Sequence, residues 1–568
     1  MVEFRSEDQF QEIRDTLYGD ILLYSDEIEL LNAWEMQRLR NIRQLGFAHL
    51  VYPGANHTRF EHCIGARYML QQVIERSQLE KYFEHEGDIR ILYKAALIHD
   101  IGHSAFGHIT ERLGVQTHEE ITISMINGKM NDVLVSVIDD ENIKPFISDL
   151  IGGEKSITNF LDEKERRMIC DILSKKSKPI FYSQLISGLI DADILDYLRR
   201  DSYYCGLHYG FYDDRILSAF DVDEDKLDLV LKYKPDSISS ALSVLESRLK
   251  MMKAVYRHHT VLAADSMLLK ALEMAFGEII HEEDIYLLDD EEVLDILTKS
   301  ESETVKNLAY RLKRRDLYKR AYVVQNKTRE LETEIEKMKN NAVYMREMMK
   351  KIAKRSSDLG LIKLGERKIS VEDIIVNMPI PRSYREMHDT VLLKRGDGDE
   401  KERIQLGWES PSVNALTEEY NRLWTFFVYV SDPNFADYVK DACKEIFGIE
   451  SAYDRSKGRI TSPPALIEET NTEIIKKVFE RIEEMPRASL EPIKVLLKSD
   501  NELTRDEISK ELGIESTTVS SYLNKILSIE KEFGVGILKY RTDRNKIKFW
   551  KVRPEMRDII GDALMLLE

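Results

Sequence analysis

Of the 13 histidines, five are His57, His62, His99, His103 and His108. His99 and Asp100 are adjacent at the end of an apolar stretch, LYKAALIHD. His62 lies earlier, in RFEH, and Asp193 later, in LIDADILDYLRRD. Two imidazoles and two carboxylates brought together from three helices can enclose one divalent cation, because neutral imidazole and carboxylate suit first-row metals and leave positions open for water. A single histidine on an apolar face is usually a core residue. His-Asp followed by Gly-His one turn later, in IHDIGHSAFGH, is much harder to explain by packing.

These residues need helices to position them, and helical periodicity dominates from about Ile28 to Tyr310. It predicts helices over Glu35–Gly46, Phe60–Gln78, Ile89–His99 and Gln184–Arg200, with a turn at Pro53-Gly54 before the second. Residues 1–25 alternate extended and turn character, with a turn at Tyr18-Gly19. Residues 311–356 are dense in Lys, Arg, Glu and Met and predict a long exposed helix or helical hairpin. From about 357 to 450 the pattern is α+β. Short β-type runs at Ile374–Val376 and Val391–Leu393 are broken by Pro379, Pro381 and a turn at Gly396 and Gly398. Trp424–Val430 then reads as a buried strand and Phe435–Phe447 as a helix. Residues 451–488 read as a linker and a helix. Within 489–568, three helical segments precede a ribbon, Ile537–Tyr540 with Lys546–Trp550, in the order of a winged helix-turn-helix. The expected fold is mainly α: an all-helical domain over 1–310, a smaller α+β lobe, and the C-terminal winged helix.

Length supports several domains, about three or four at ~150 residues each. The formal charge of −19 opposes non-specific binding of nucleic acid or anionic lipid across the whole molecule, and leaves room for local basic patches. Cys63, Cys170, Cys205 and Cys443 are scattered without a C-x-x-C pair, so neither a disulfide framework nor a thiolate zinc site is indicated. The polar, acidic N-terminus is wrong for a signal peptide, and no run of 18 apolar residues would cross a membrane. A cytoplasmic location is expected.

The H…HD…D pattern resembles the HD phosphohydrolase superfamily. The stretches RLRNIRQLGFAHLVYPGANHTRFEHCIG, LIHDIGHSAFGH, THEE and DADILDYLRRD resemble more narrowly the dGTPase-type deoxynucleoside triphosphate triphosphohydrolases, nearest to the vertebrate branch that joins a sterile-alpha-motif domain to its HD domain. The likeness is strong over about residues 15–265, weak over 266–450, and does not reach the C-terminal unit. It implies hydrolysis of dNTP to deoxynucleoside and tripolyphosphate at one divalent ion (Mg, Mn, Fe, Zn or Co) held by His62, His99, Asp100 and Asp193. It makes His108 the general acid and Glu111, where relatives more often have Asp, the carboxylate that orients it. His103 and His118 match histidines near the phosphates, and Arg59 and Arg248 match phosphate-binding arginines. Gln44, Leu45, Tyr197 and Asp201 match residues around the deoxyribose. Tyr256 matches an aromatic that leaves no room for a 2′-hydroxyl.

The relatives are nucleotide-activated oligomers, which implies a nucleotide effector and a homodimer or tetramer here. Gln37 and Arg40 match effector contacts, while Asn32 replaces an aspartate that reads guanine. Ile194 and Met252 replace a phosphate-contacting lysine and a histidine. Two other functions fit parts of the chain: a phosphodiesterase or nuclease acting on nucleic acid, and a nucleotide-sensing DNA-binding regulator. Both draw on the wing, where Ile537–Arg553 holds seven Lys or Arg against one Asp. The segment Thr517–Leu527 offers side chains able to contact phosphate or base edges of DNA or RNA.

Overall fold

Alternation of apolar and polar residues makes the first element a hairpin. In the computed structural model, β1 (Phe10–Asp15) pairs antiparallel with β2 (Gly19–Tyr24), and Gly19 takes a φ of +78° at the turn. The structure describes residues 10–130, 144, 155–325, 328–364, 368–378, 392–395, 402–406, 410–454, 459–460, 492, 503–512, 514–515, 517–523, 538–542 and 548–552. It divides into two compact units at Ile460/Thr461.

In the first unit α1 (Ser25–Leu31) and α2 (Trp34–Arg38) lead to the long α3 (Arg59–Ser77), followed by α4 (Glu86–Ile98) and α5 (His118–Ile126). Next come α6 (Glu163–Leu173), α7 (Phe181–Ile186) and α8 (Ala192–Tyr204). A second hairpin, β3 (Phe220–Asp223) with β4 (Asp228–Lys232), precedes α9 (Pro235–Met251), α10 (His259–Ala275), α11 (Asp290–Leu297) and α12 (Glu303–Lys313). The domain is therefore not all-helical, as its sequence predicts; two hairpins are built into it.

Two predicted helices are interrupted, each for a local reason. Glu35–Gly46 stops at α2 and a short 3-10 turn because its next backbone donors are taken from outside. Arg43 N donates to Asp290 and Gln44 N to the His57 carbonyl. Gln184–Arg200 splits into α7 and α8 because the Asp191 side chain accepts from Gly188 N and Ile194 N, both at 2.7 Å, and so starts a new helix.

Beyond α12 the chain forms β5 (Lys319–Val324), then α13 (Arg329–Asn340) and α14 (Ala342–Leu364). The segment 311–356, predicted as one long helix or a helical hairpin, thus holds the end of α12 and a strand before its two consecutive helices. The chain continues with β6 (Ile374–Asn377), β7 (Leu392–Arg395), β8 (Glu402–Gln405), α15 (Pro411–Asn421), β9 (Phe426–Val430), α16 (Ala436–Phe447), β10 (Tyr453–Asp454) and β11 (Arg459–Ile460). Strand order β5-β9-β6 puts β9 at the centre. Its run FFVYV is buried throughout because alternation sends Phe427 and Tyr429 into the main core and Phe426, Val428 and Val430 into a second core with α13, α14 and α16. By contrast β7 leaves this lobe and pairs parallel with β4, giving the order β3-β4-β7-β8. Pro379, Pro381, Val391, Gly396 and Gly398 lie outside the described residues.

In the second unit, β12 (Leu503–Thr504) is followed by α17 (Arg505–Leu512), helical residues 517–523, β13 (Leu538–Thr542) and β14 (Lys548–Val552). The sheet is antiparallel in the order β12-β14-β13, with Leu538 opposite Val552 and Leu503 opposite Trp550. Of the helix predicted over Pro492–Lys498 only Pro492 is among the described residues, and the rest of Thr517–Leu527 lies outside them.

The crossing of α3 and α8 brings polar residues of both helices together, His62 and Asp196 buried and Asp193 part-exposed. It depends on Gly65, where a Cβ would sit 2.0 Å from Asp196 Oδ1 and 2.3 Å from an Arg200 nitrogen. Gly65→Ala is expected to cost at least the ~1–3 kcal/mol typical of overpacking, because the atoms it meets are buried and charged. The check is a chemical denaturation series; stability equal to wild type would mean that α3 and α8 can separate freely.

Candidate metal centre

Local signals set each donor. Thr58 caps α3, with its N–H donating to Glu61 at 2.7 Å, so Arg59 and His62 emerge three residues apart on one face of the first turn. His99 closes α4 and Asp100 follows it. Asp193 and Asp196 stand three apart at the start of α8 and share a face.

The loop between α4 and α5 is pinned from several sides. The buried Arg38 guanidinium donates to the carbonyls of Ile101, His103 and Leu288. Thr122 Oγ1 donates to the His99 carbonyl at 3.1 Å and accepts from Gly102 N at 2.9 Å. Phe106 N donates to the buried Asp290 at 2.7 Å. A Cβ at Gly102 would lie 2.3 Å from the His118 carbonyl, and one at Gly107 would lie 2.5 Å from Arg59. The glycines of IHDIGHSAFGH therefore let α5 and Arg59 close on the loop.

His62, His99 and Asp100 present donor atoms within 4.8 Å of one another. His62 Nε2 lies 2.9 Å from Asp193 Oδ1 and 3.9 Å from Asp100 Oδ2. His99 Nε2 lies 3.2 Å from Asp100 Oδ1 and 3.8 Å from Asp193 Oδ1. The Nδ1 atoms are committed elsewhere: that of His62 pairs with Asp196 at 2.8 Å, that of His99 with the Ala96 carbonyl at 2.8 Å. Both rings therefore aim Nε2 at carboxylate oxygens, that of His62 within hydrogen-bond distance of Asp193. Lone pairs that converge in this way need a positive charge between them. A divalent cation on two imidazoles and two carboxylates satisfies all four, and the donor set fits such an ion.

The electrostatics fit the same assignment. Burial opposes ionisation of Asp100, yet the charges of His99, His103 and Arg59 hold its carboxyl well below the usual range; Arg59 donates to it at 2.7 Å. Burial also opposes charge on His62, but hydrogen bonds to Asp193 and Asp196 raise its pKa to about 10. Asp196 is held down at about 2 against its burial by the Arg200 charge and the His62 hydrogen bond. Arg200 in turn donates to Asp15 at 2.9 Å. Asp196 was not legible as a site residue, although its spacing from Asp193 in DADILD is a usable signal.

Next to this group lies a second. Glu111 Oε2 is 3.2 Å from His108 Nδ1 and Oε1 is 2.7 Å from His118 Nδ1. His103 stacks on His118 with ring centroids 3.9 Å apart, and its Nε2 is 3.4 Å from Asp100. A polar wall forms further along α8. Asp201 accepts from Tyr256 at 2.6 Å and pairs with His57 at 2.8 Å, and Tyr197 meets Tyr256 edge-on. His57 is a second residue that motif spacing does not reveal. Gln44 N donates to the His57 carbonyl, the Gln44 Oε1 has no hydrogen-bond partner, and Leu45 packs on the main core. Arg248 lies close enough for its charge to act on Tyr197 and Asp191.

Gln37 and Arg40 are not brought to this centre. They bond to each other at 2.9 Å, Gln37 donates to the Leu31 carbonyl, and Arg40 lies over the Phe60 ring. Asn32 caps the end of α1. Ile194 and Met252 are buried apolar residues.

Asp196→Asn removes the charge that fixes the His62 tautomer, and divalent-ion affinity is expected to fall ~10–100-fold, as for other residues that orient metal-bound histidines. Affinity should also tighten from pH 6 to pH 8, because a cation must displace the proton that the two carboxylates favour on His62. Calorimetric Mn(II) titrations check both; an Asn variant binding like wild type, or affinity that weakens with pH, would contradict the assignment.

Residues 59–201 match the model of the HD domain, and residues 213–458 match that of an HD associated region. An uncharacterized protein from Methanocaldococcus jannaschii is 30% identical over 310 residues, 54% of this chain and 58% of its own. A deoxynucleoside triphosphate triphosphohydrolase SAMHD1 homolog from Dictyostelium discoideum is 32% identical over 34% of this chain and 35% of its own, and the Bos taurus SAMHD1 is 30% identical over 34% and 36%. The chain thus spans between about a third and three-fifths of these relatives. Among solved structures, a phosphohydrolase from Bacteroides thetaiotaomicron shares the fold with a TM-score of 0.53 at 22% identity, covering 74% of this chain and all of its own. The chain therefore carries an HD domain, homologous at about 30% identity to those of the SAMHD1-type triphosphohydrolases.

Proposed function

We propose that the protein is a metal-dependent phosphohydrolase that converts dNTP to deoxynucleoside and tripolyphosphate. One observation carries this: a cation-ready centre, a histidine pair bridged by Glu111, and the Asp201–Tyr256 wall occur along one set of helices. A divalent cation held by His62, His99, Asp100 and Asp193 supplies Lewis-acid polarisation of a phosphoryl oxygen and acidifies water.

The chain's own residues do the rest. Arg59 and Arg248 bind phosphate oxygens, with Arg59 already steered by Asp100. His103 and His118 hold the triphosphate beside the centre. Water adds to the α-phosphorus, the bond to the 5′-oxygen breaks, and His108 donates a proton to that oxygen. Glu111 accepts from His108 Nδ1–H and its negative charge favours the doubly protonated ring, whose Nε2–H is the proton given to the 5′-oxygen. Tyr256 and Asp201 close the sugar pocket with Gln44, Leu45 and Tyr197, and the Tyr256 ring excludes a 2′-hydroxyl.

Incubation with a panel of dNTP and NTP across Mg, Mn, Fe, Zn and Co tests this, with products resolved by ion-exchange chromatography. Tripolyphosphate and deoxynucleoside are expected from dNTP; monophosphate and pyrophosphate, or no cleavage, would sink the proposal. His108→Ala should lower turnover by ~10²–10⁴ while leaving metal binding intact. Tyr256→Ala should raise the NTP/dNTP ratio of kcat/KM; an unchanged ratio would make Tyr256 a packing residue.

For the second unit we infer a winged helix that contacts DNA or RNA. It is supported by the chain order β12, α17, helical residues 517–523 and the β13–β14 ribbon, which pairs with β12 through β14, and by basic residues in the ribbon. Binding of duplex DNA by the full chain should weaken steeply with salt through counterion release and vanish when the chain ends near residue 485. Fluorescence anisotropy decides it; equal binding by the shortened chain would move the nucleic-acid surface to the HD domain and favour a nuclease. The nucleotide effector at Gln37 and Arg40, and a homo-oligomer, also belong to this proposal.

A further inference from the structure

The group beside the metal centre has a property that proton donation does not require. The donor atoms of His103, His108, Glu111 and His118 all lie within 4.8 Å of one another. Glu111 spans the group, one oxygen to each of His108 and His118. His103 is 1% exposed, and its Nδ1 has no hydrogen-bond partner. The His108 side chain is 47% exposed, which leaves an ion a route of entry. Small side-chain shifts bring donors at these separations onto a single ion with bonds of about 2.0–2.2 Å.

The chemistry of the two groups differs. The first offers two imidazoles and two carboxylates, the second three imidazoles and one carboxylate. Imidazole-rich sets favour zinc over the oxygen-seeking Mg²⁺ and Mn²⁺. We propose that His103, His108, Glu111 and His118 form a second, zinc-selective site whose occupation arrests turnover. Coordination through Nδ1 takes the position of one ring proton of His108 and removes its hydrogen bond to Glu111, so the ring cannot become the imidazolium that gives a proton to the 5′-oxygen. The effect on turnover rests on the hydrolase function proposed above; the ion count does not.

The test uses the full chain, stripped with a chelator and dialysed against buffered zinc or manganese, with bound metal measured by elemental analysis. Two zinc ions per chain are expected and one manganese. Glu111→Gln and His118→Gln should each bind one zinc, and His99→Ala should keep the second site. Circular dichroism of each variant separates lost ligands from lost fold. A single zinc in the wild type, or two in both Glu111→Gln and His118→Gln, overturns the proposal. Filling the second site of manganese-loaded protein should reduce dNTP hydrolysis by ~10²-fold, the lower end of what a positioned acid provides. Unchanged turnover with both sites filled would overturn the inhibitory role. If the protein hydrolyses no dNTP under any metal, the hydrolase proposal fails and the zinc count alone decides this one.

Discussion

The grip on His62 is the interaction on which the rest of the site depends. Its ring is fully buried between two carboxylates of one helix, Asp196 at Nδ1 and Asp193 at Nε2. Asp193 and Asp196, three apart on α8, share a face and so meet opposite edges of one imidazole. The arrangement continues through Arg200 to Asp15 on the N-terminal hairpin. Such a buried chain of charges is a weak source of net stability, because desolvation offsets much of the attraction. Its value is geometric: removing any member leaves an unpaired charge, so the ring has one permitted orientation. That orientation aims Nε2 at the cation position.

The same economy governs the loop that carries His99, Asp100 and His103. Its own sequence, rich in glycine and short side chains, would not hold one conformation. Arg38, Thr122 and Asp290 fix it from three other elements by bonding to its backbone. Asp100 then serves two neighbours at once, as cation donor and as the carboxylate that steers Arg59. Charges that would repel in isolation are interleaved, cation against anion, from Glu111 to Asp15.

How much of this was legible depends on the kind of signal each residue leaves. The donors His62, His99, Asp100 and Asp193 stand out because packing does not explain a His-Asp pair followed by Gly-His. The structure places them together. Their supporting residues leave little trace. Asp196, Arg200 and Arg38 carry no motif of their own, and His57 is noted among the histidines without a role, because partners such as Leu288 for Arg38, Asp201 for His57 and His62 for Asp196 lie 134 to 250 positions away. The break between α7 and α8 was legible in principle, since Ser-Gly followed by Asp191 is a stop and a cap. The end of α2 was not, because partners distant in sequence take its next donors. The strand at β5 was hidden by the charged run after it, and the parallel pairing of β7 with β4 leaves no local mark at all.

The central claim is that two imidazoles of this chain, those of His62 and His99, hold one divalent cation. Pulsed electron paramagnetic resonance of the Mn(II)-loaded protein reads imidazole nitrogens on the ion directly. The wild type should show coupling to two, and His62→Ala and His99→Ala should each show one. Absence of nitrogen coupling in the wild type, or coupling unchanged in both variants, would contradict the account.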